Sequence, residues 1–297
     1  MRRVRPIQLS ELVDMYTPSA VLEEVKYNFI NHYSMYEFME VRAAFKDFND
    51  LYEGKFPGYR ACNTKFHDKI HTTDALLAVS RLIEGYNCRN PHKKLPSHEV
   101  KIALIATILH DTGYLQKSQD VKGTGAKYTL NHVDRSMEFI GKYLQKMHYS
   151  HRDIVTAQNM ICCTDLGVQI PKIKFPTPTS RTLGLMLGTA DMLGQMASRT
   201  YLERLLHLYR EFKEGNVKGY ASEYDLLKKT FGFHEIMKVR LAKVLKNVQC
   251  YVQDHFKKRY HINENMYESA VERQIEYLKS ILNDKNDSYR EKLRRIV

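Results

Sequence analysis

The residues of this chain best suited to chemistry are histidines and aspartates in apolar surroundings. His67 and His71 stand four residues apart in FHDKIHTTDALLAV, so on a helix they would share one face. His110 and Asp111 directly follow IALIATIL, the longest apolar run of the chain. Asp191 lies inside the apolar stretch LGLMLGTADMLGQM, with no Lys or Arg within four residues. Each carboxylate therefore needs a positive partner from elsewhere in the fold.

A bound divalent metal ion would compensate these carboxylates directly. Imidazole and carboxylate ligands together suit zinc, iron or manganese, and bridging oxygens suit magnesium or manganese as a second ion. Two such ions can hold an activated hydroxide and clamp a phosphoryl group. One histidine alone on an apolar face is more often a hydrogen-bonded core residue. The hypothesis of one or two divalent ions therefore depends on the ordered set of residues.

This ordered set resembles the HD-domain metal-dependent phosphohydrolase superfamily, which has an all-helical fold. The resemblance covers roughly residues 66–195. FHDKIHTTDALLA is similar to the first signature of class I cyclic nucleotide phosphodiesterases, and ICCTDLG and GTADMLG are similar to later segments of those enzymes. The resemblance implies that the first metal is bound by His71, His110, Asp111 and Asp191, that Asp111 bridges to a second metal, and that His67 protonates the leaving oxygen.

Two departures from the phosphodiesterase pattern leave the substrate open. Those enzymes clamp a purine with a glutamine and a phenylalanine three residues apart, but RLAKVLK at 240–246 contains no such pair. TLNHVDRSM keeps His132 without a preceding glutamate. His132 is either a ligand of the second metal or a histidine at the start of a helix near solvent. Asp165 in CCTDLG either orients a ligand or His67, or simply ends a helix.

The stretch from Thr112 to Leu130 is predicted to be a long loop, because it has three glycines and no clear period. It begins at the His-Asp pair and carries Lys117, Lys122 and Lys127. GTGAK at 123–127 lacks the spacing of a phosphate-binding loop. We expect the loop to form the rim of the pocket and to close on an anionic substrate, with the lysines contacting its phosphate. The alternative is a solvated surface loop.

Composition narrows the possible partners. The 297 residues are 43% hydrophobic and 27% charged, with 46 Lys and Arg against 34 Asp and Glu. This basic surplus suits a phosphorylated small molecule, an acidic membrane face or nucleic acid. Arg2, Arg3 and Arg294 belong to basic clusters at the two ends of the chain, but we place nucleic acid below a nucleotide-like small molecule. No apolar run is long enough to cross a bilayer, so no membrane partner is expected.

Five cysteines without a CxxC pair, and a start without a secretory signal, favour a cytoplasmic location.

The apolar periodicity predicts an all-α protein, with a linker loop over 171–179. The predicted helices cover residues 21–52, 66–84, 98–110 (with Ser97 as N-cap), 131–146, 153–163, 181–196, 198–214, 233–256 and 263–282. We divide it into an N-terminal helical extension (1–60), an HD-type catalytic core (61–197) and C-terminal helices packed on that core (198–297), all in one continuous domain.

The expected function is hydrolysis of a phosphomonoester or phosphodiester bond in a nucleotide, a cyclic nucleotide being one option. A metal-bound hydroxide would attack phosphorus in line, with His67 as general acid. Two alternatives stay open. The chain could be a catalytically quiet HD-type module that binds a ligand and signals. It could also be a basic nucleic-acid-binding protein with a structural metal.

Overall fold

The computed structural model describes residues 7–283 and 289–293, and this part of the chain is almost entirely helical. Its helices are α1 (Pro18–Ile30), α2 (Met35–Tyr52), α3 (Lys69–Arg89), α4 (Ser97–Leu109), α5 (His132–Lys146), α6 (His151–Cys162), α7 (Pro178–Ala197), α8 (Tyr201–Glu214), α9 (Glu223–Val239), α10 (Tyr251–Tyr260), α11 (Met266–Leu282) and α12 (Tyr289–Lys292). Within the described ranges, the only β-type pairing is the isolated bridge between Tyr59 and Lys117. The all-α prediction is confirmed.

Helix α3 lies at the centre of the molecule. It packs against α1, α4, α7 and α10, and its residues from His71 to Gly85 are all buried. Helix α4 is buried from Val100 to Leu109 because it is apolar on almost every face, as its sequence predicts. Helix α7 crosses both α3 and α4. These three central helices contain or directly adjoin His71, His110, Asp111 and Asp191.

The prediction of one helix over residues 21–52 is wrong, because the chain turns between α1 and α2. Ser34 caps the second helix: its hydroxyl accepts a hydrogen bond from the Tyr36 amide at 3.2 Å. The Glu37 carboxylate accepts from the Ser34 amide at 3.3 Å. This capping box satisfies amides that a continuous helix would have paired internally, so it outweighs the apolar stripe running through both segments.

The prediction of one helix over 233–256 is also wrong. Helix α9 begins earlier, at Glu223, and passes into a π-helical turn at Arg240–Val244. Lys246 and Asn247 then adopt left-handed backbone angles, with φ of 58° for both residues. A left-handed pair cannot continue a right-handed helix, so α10 starts afresh at Tyr251.

The other predicted helices are present with shifted ends. Pro96, not Ser97, occupies the N-cap of α4, and the Ser97 hydroxyl donates to the Glu37 carboxylate at 2.5 Å. Helix α3 begins at Lys69 rather than Phe66 and continues past Glu84 to Arg89. The predicted linker over 171–179 overlaps a 3-10 turn at Ile170–Lys172 and the first turn of α7.

Buried hydrophobic side chains from Leu9 to Leu293 form one core cluster, with members from all three predicted segments. The division at residues 60 and 197 stays a prediction. Arg2, Arg3 and Arg294 lie outside the described residues. In the ranges that the structure covers, every helix is too short or too polar to cross a membrane.

Candidate metal centre

The predicted metal ligands lie on three different helices or directly beside them. His71 is in the first turn of α3, where the Asp68 side chain caps the helix by accepting a hydrogen bond from the His71 amide at 2.9 Å. His110 is the C-cap of α4, and Asp111 follows it. Asp191 is in the second half of α7. The site therefore exists only when these three helices are packed together.

The four side chains converge on one point. His71 Nε2 lies 3.1 Å from Asp111 Oδ2 and 3.1 Å from Asp191 Oδ1. His110 Nε2 lies 3.5 Å from the same two oxygens. His71, His110 and Asp111 are each no more than 3% exposed. The ligand atoms of His71, His110 and Asp191 all lie within 4.8 Å of one another, a spacing that one ion can bridge.

Unpaired acceptor atoms in this cluster fit a cation. His110 Nδ1 lies 2.7 Å from the Thr107 carbonyl, which can only accept, so this nitrogen carries the proton of the neutral ring. His110 Nε2 then presents its lone pair to the carboxylates and has no hydrogen-bond partner. Asp111 Oδ2 is likewise buried without a hydrogen-bond partner. A carbonyl that fixes the distal nitrogen is the usual support for a metal-binding histidine.

The electrostatics of the cluster agree with this interpretation. Burial lowers the pKa of His71, but the Asp111 and Asp191 carboxylates outweigh it and raise that pKa to about 10. Burial opposes ionisation of Asp111, yet His110 and His71 hold its pKa well below the usual range. The same two histidines lower the pKa of Asp191, again against the effect of burial. Protons and a divalent ion therefore compete for the same ring nitrogens.

His132 stands on the other side of Asp111. It is the first residue of α5, and its Nδ1 donates to the Thr129 carbonyl at 2.7 Å. Its Nε2 lies 3.9 Å from Asp111 Oδ1 and faces the cavity described below. Burial lowers the pKa of His132, which favours the neutral ring with a free lone pair. One oxygen of Asp111 thus faces His71 and His110, and the other faces His132.

The start of α5 reaches this position because Gly113 has no side chain. A Cβ atom at Gly113 would lie 1.9 Å from the His132 carbonyl oxygen. The Gly113 amide instead donates to the Ser136 hydroxyl at 2.8 Å, and Arg135 donates to the Gly113 carbonyl at 2.6 Å. This close approach fixes His132 against the turn that carries Asp111.

His67 does not share a helix with His71, because α3 begins two residues after it. The prediction that His67 and His71 share one face of a helix is therefore wrong. The two rings are nevertheless adjacent, with centroids 5.5 Å apart. The His67 ring stacks on Tyr114 at 4.2 Å, and its Nε2 lies 3.4 Å from the Tyr114 hydroxyl. His67 thus lies beside the cluster on the cavity wall, outside the set of converging atoms.

Glu211 on α8 is a site residue that the sequence did not reveal. Its Oε2 lies 2.7 Å from His67 Nδ1, and its Oε1 accepts from the Lys65 and Phe66 amides at 2.7 Å each. Burial opposes ionisation of this 5%-exposed side chain, but His67 and the two amides lower its pKa. Its partner is 144 residues away in the sequence, so no local pattern marks it.

A cavity of about 470 Å³ opens beside the cluster. Its polar end is formed by His67, His132 and Asp191. The rest of its wall is largely apolar and aromatic, with Leu166, Met192, Leu205, Leu208, Phe212, Tyr220, Leu226 and Phe233. Lys229 is the only Lys or Arg among the described lining residues, and it donates to the Gly219 carbonyl at 2.6 Å and the Asp225 carboxylate at 2.8 Å.

Asp165 lies at the exposed rim of this cavity rather than in the cluster. Its Oδ1 accepts from the Gly167 amide at 2.7 Å, and its carbonyl accepts from Arg240 at 2.8 Å. These bonds are typical of a residue that ends a helix. The structure brings Asp165 near the cavity but gives it no contact with His67 or with the four converging side chains.

The loop between Asp111 and α5 contributes its two ends to the cavity, through Tyr114, Thr129 and Leu130. Its lysines lie outside the cavity. Lys117 donates to the Tyr59 hydroxyl at 2.5 Å, and Lys122 is exposed. Lys127 pairs with Asp120 and donates to the Lys122 carbonyl at 2.6 Å.

A family model described as Npun_R2479-like matches residues 105–271. This stretch is more than half of the chain, so the protein belongs to the Npun_R2479-like family. The match includes His110, Asp111, Asp191 and Glu211 and lies C-terminal to His67 and His71. Neither the curated proteins nor the solved structures provide a match.

Proposed function

We propose that this member of the Npun_R2479-like family is a metal-dependent phosphohydrolase that cleaves a phosphomonoester or phosphodiester of a small molecule. One observation carries the proposal. Four side chains converge on one point, those of His71, His110, Asp111 and Asp191, and two of their acceptor atoms have no hydrogen-bond partner. His67, which is held by the Glu211 carboxylate, stands beside them on the wall of the cavity. A cation site next to a positioned proton donor suits hydrolysis of a phosphate ester.

The first ion would be held by His71, His110, Asp111 and Asp191, and a second by Asp111 and His132. Imidazole and carboxylate ligands suit zinc, iron or manganese in the first position, and magnesium or manganese suits the second. Such ions supply a nucleophile at neutral pH and neutralise the phosphoryl oxygens. The chain contributes the geometry, since Asp111 directs one oxygen to each side.

His67 would protonate the leaving oxygen. Glu211 accepts a hydrogen bond from the His67 Nδ1–H, which fixes the ring orientation and leaves Nε2 on the side of the cavity. The Glu211 carboxylate also compensates the positive charge of the protonated ring. Stacking on Tyr114 restricts rotation of the ring further.

The cavity favours a substrate with one phosphate and an uncharged, apolar or aromatic body. Its wall is mainly apolar, and its single lysine already has two partners. A chain of several phosphates would need further cations that the described lining does not provide. A nucleoside monophosphate or a cyclic nucleotide fits this description, as does another aromatic phosphate ester.

The test is a hydrolysis panel with the full chain loaded with manganese, magnesium, zinc or iron. It includes aryl phosphomonoesters and phosphodiesters, linear nucleotides and cyclic nucleotides. We expect hydrolysis that depends on metal and is lost in Asp191→Asn. Asp50→Asn is the matched control, because Asp50 pairs with Lys46 on the exposed face of α2.

Two results would contradict the proposal. Metal binding without hydrolysis of any member of the panel would favour the quiet ligand-binding module. Tight binding of nucleic acid with a steep salt dependence, again without hydrolysis, would favour the basic nucleic-acid-binding protein.

A further inference from the structure

A second group of potential ligands lies at the opposite end of α3. It consists of His32, just after α1, and of Glu84 and Cys88, one turn apart on α3. One ligand atom from each lies within 4.8 Å of the others. His71 and Glu84 are 13 residues apart on the same helix, which separates the two groups by about 20 Å. The second group therefore shares no residue with the candidate metal centre.

Glu84 is held in place by two donors. It is 2% exposed and accepts from His255 Nδ1 and, at 3.1 Å, from Asn31 Nδ2. His255 is itself completely buried. A carboxylate oriented by a histidine and an amide resembles the outer support that metal-binding carboxylates receive. Glu84 still has lone pairs available for a cation.

His32 has no hydrogen-bond partner at either ring nitrogen, although both nitrogens are shielded from solvent. Leaving two shielded ring nitrogens unpaired is costly, and a coordinated cation would relieve that cost at one of them. Burial lowers the pKa of His32, which keeps the ring neutral and its lone pair free. Burial also raises the pKa of the Cys88 thiol to about 11, so a cation would have to displace its proton.

We propose that His32, Glu84 and Cys88 form a separate metal site that takes zinc or a similar borderline-soft divalent ion. One imidazole, one carboxylate and one thiolate are ligands that zinc accepts in tetrahedral geometry, with water in the fourth position. Magnesium and calcium prefer oxygen ligands alone and do not suit the thiol. An ion here would tie the end of α1 to the central helix.

Cobalt(II) absorption tests this site directly, because only a cysteine ligand gives a thiolate-to-metal charge-transfer band. The candidate metal centre contains no cysteine, so the band cannot come from that centre, and its loss in Cys88→Ser assigns it to the second site. The full chain should show the band with cobalt. Cys88→Ser should abolish it and His32→Gln should weaken it strongly, whereas Cys162→Ser, at another half-buried cysteine, should keep it.

Bound zinc should fall by one ion per chain in Cys88→Ser and stay unchanged in Cys162→Ser. The Asp191→Asn variant should retain the cobalt band, which separates this inference from the proposed hydrolase activity. Absence of the band in the folded wild-type chain, or its persistence in Cys88→Ser, would overturn the inference. The wild-type measurement decides the matter even where a variant fails to fold.

Discussion

His67 and Glu211 form a hydrogen-bonded pair in which only His67 lines the cavity. Glu211 does not itself line the cavity and is not one of the four converging side chains, but it holds His67 and two backbone amides at once. Under the proposed function Glu211 is a positioning residue, whereas His67 lines the cavity that would hold the substrate. Removing either one should therefore change the rate without changing metal content.

Glu211→Gln keeps the size of the side chain but removes its charge. We expect kcat to fall about 10- to 100-fold, because the His67 ring loses the partner that fixes its orientation, with metal content unchanged. Glu235→Gln is the matched control, because Glu235 pairs with Lys238 on the surface. Metal analysis and steady-state kinetics on both variants check this. Equal kcat in Glu211→Gln and wild type would show that Glu211 is only structural.

His67→Ala should lower kcat roughly 10²- to 10⁴-fold, the usual scale of general acid catalysis, and should retain both metals. The reason is that His67 lies beside the cluster but contributes no atom to it. Metal analysis of the purified variant, together with its kinetics, provides the measurement. Loss of metal along with activity would instead make His67 a ligand.

Asp111 and Asp191 drew attention because a charged side chain in or beside an apolar segment needs a partner. That these two residues bind one metal together with His71 and His110 was implied by the resemblance to HD-domain phosphohydrolases. Glu211 lacked such a signal, since its helix is amphipathic and tolerates a glutamate. The lysines were misleading for a different reason. Lysine in a loop indicates charge, but the direction of its side chain depends on backbone geometry that the sequence does not display.

Among structural elements, the turn from α4 to α5 is the most tightly constrained. Gly113→Ala would place a methyl group against the His132 backbone, and one of the two segments would have to move. We expect a loss of about 1–3 kcal/mol in the free energy of unfolding, the usual cost of overpacking. Chemical denaturation measures it, and Gly232→Ala, which meets nothing within 4 Å, is the control.

The loop between these helices gives a second prediction at this scale. Gln116 donates from its side chain to the Asp120 and Lys122 carbonyls at 3.1 and 3.0 Å, which holds the loop together away from the cavity. Replacing Lys117, Lys122 and Lys127 together by alanine should leave KM for a phosphorylated substrate unchanged. A clear rise in KM would show that the loop closes over the substrate, as the sequence suggested.

Most helices were predictable because apolar periodicity and burial agree within each of them. The two errors occurred where local capping or backbone conformation overrode that periodicity. Ser34 starts a new helix inside one apolar stripe, and Asn247 bends the chain inside another. Such breaks depend on a few hydrogen bonds and dihedral angles, which a hydrophobic pattern does not record.

At the scale of the whole molecule, a metal ion in the candidate metal centre should stabilise the folded state, because its proposed ligands come from three central helices or lie directly beside them. Saturating metal at 100 times its Kd should add about 2.7 kcal/mol to the free energy of unfolding, and a chelator should remove that gain. Thermal melting with and without manganese measures the shift. Asp191→Asn should show a clearly smaller manganese shift than the wild type, and an equal shift would place the stabilising ion elsewhere.

The contact between His67 and Glu211 also has a consequence for how the protein is made. Its two ends are separated by 144 residues, and Asp191 enters the chain only shortly before Glu211. Most of the polypeptide must therefore be synthesised before His67 has its carboxylate partner. A chain that ends before residue 211 therefore lacks the His67–Glu211 contact, so nothing in it holds the His67 ring as Glu211 does in the folded protein.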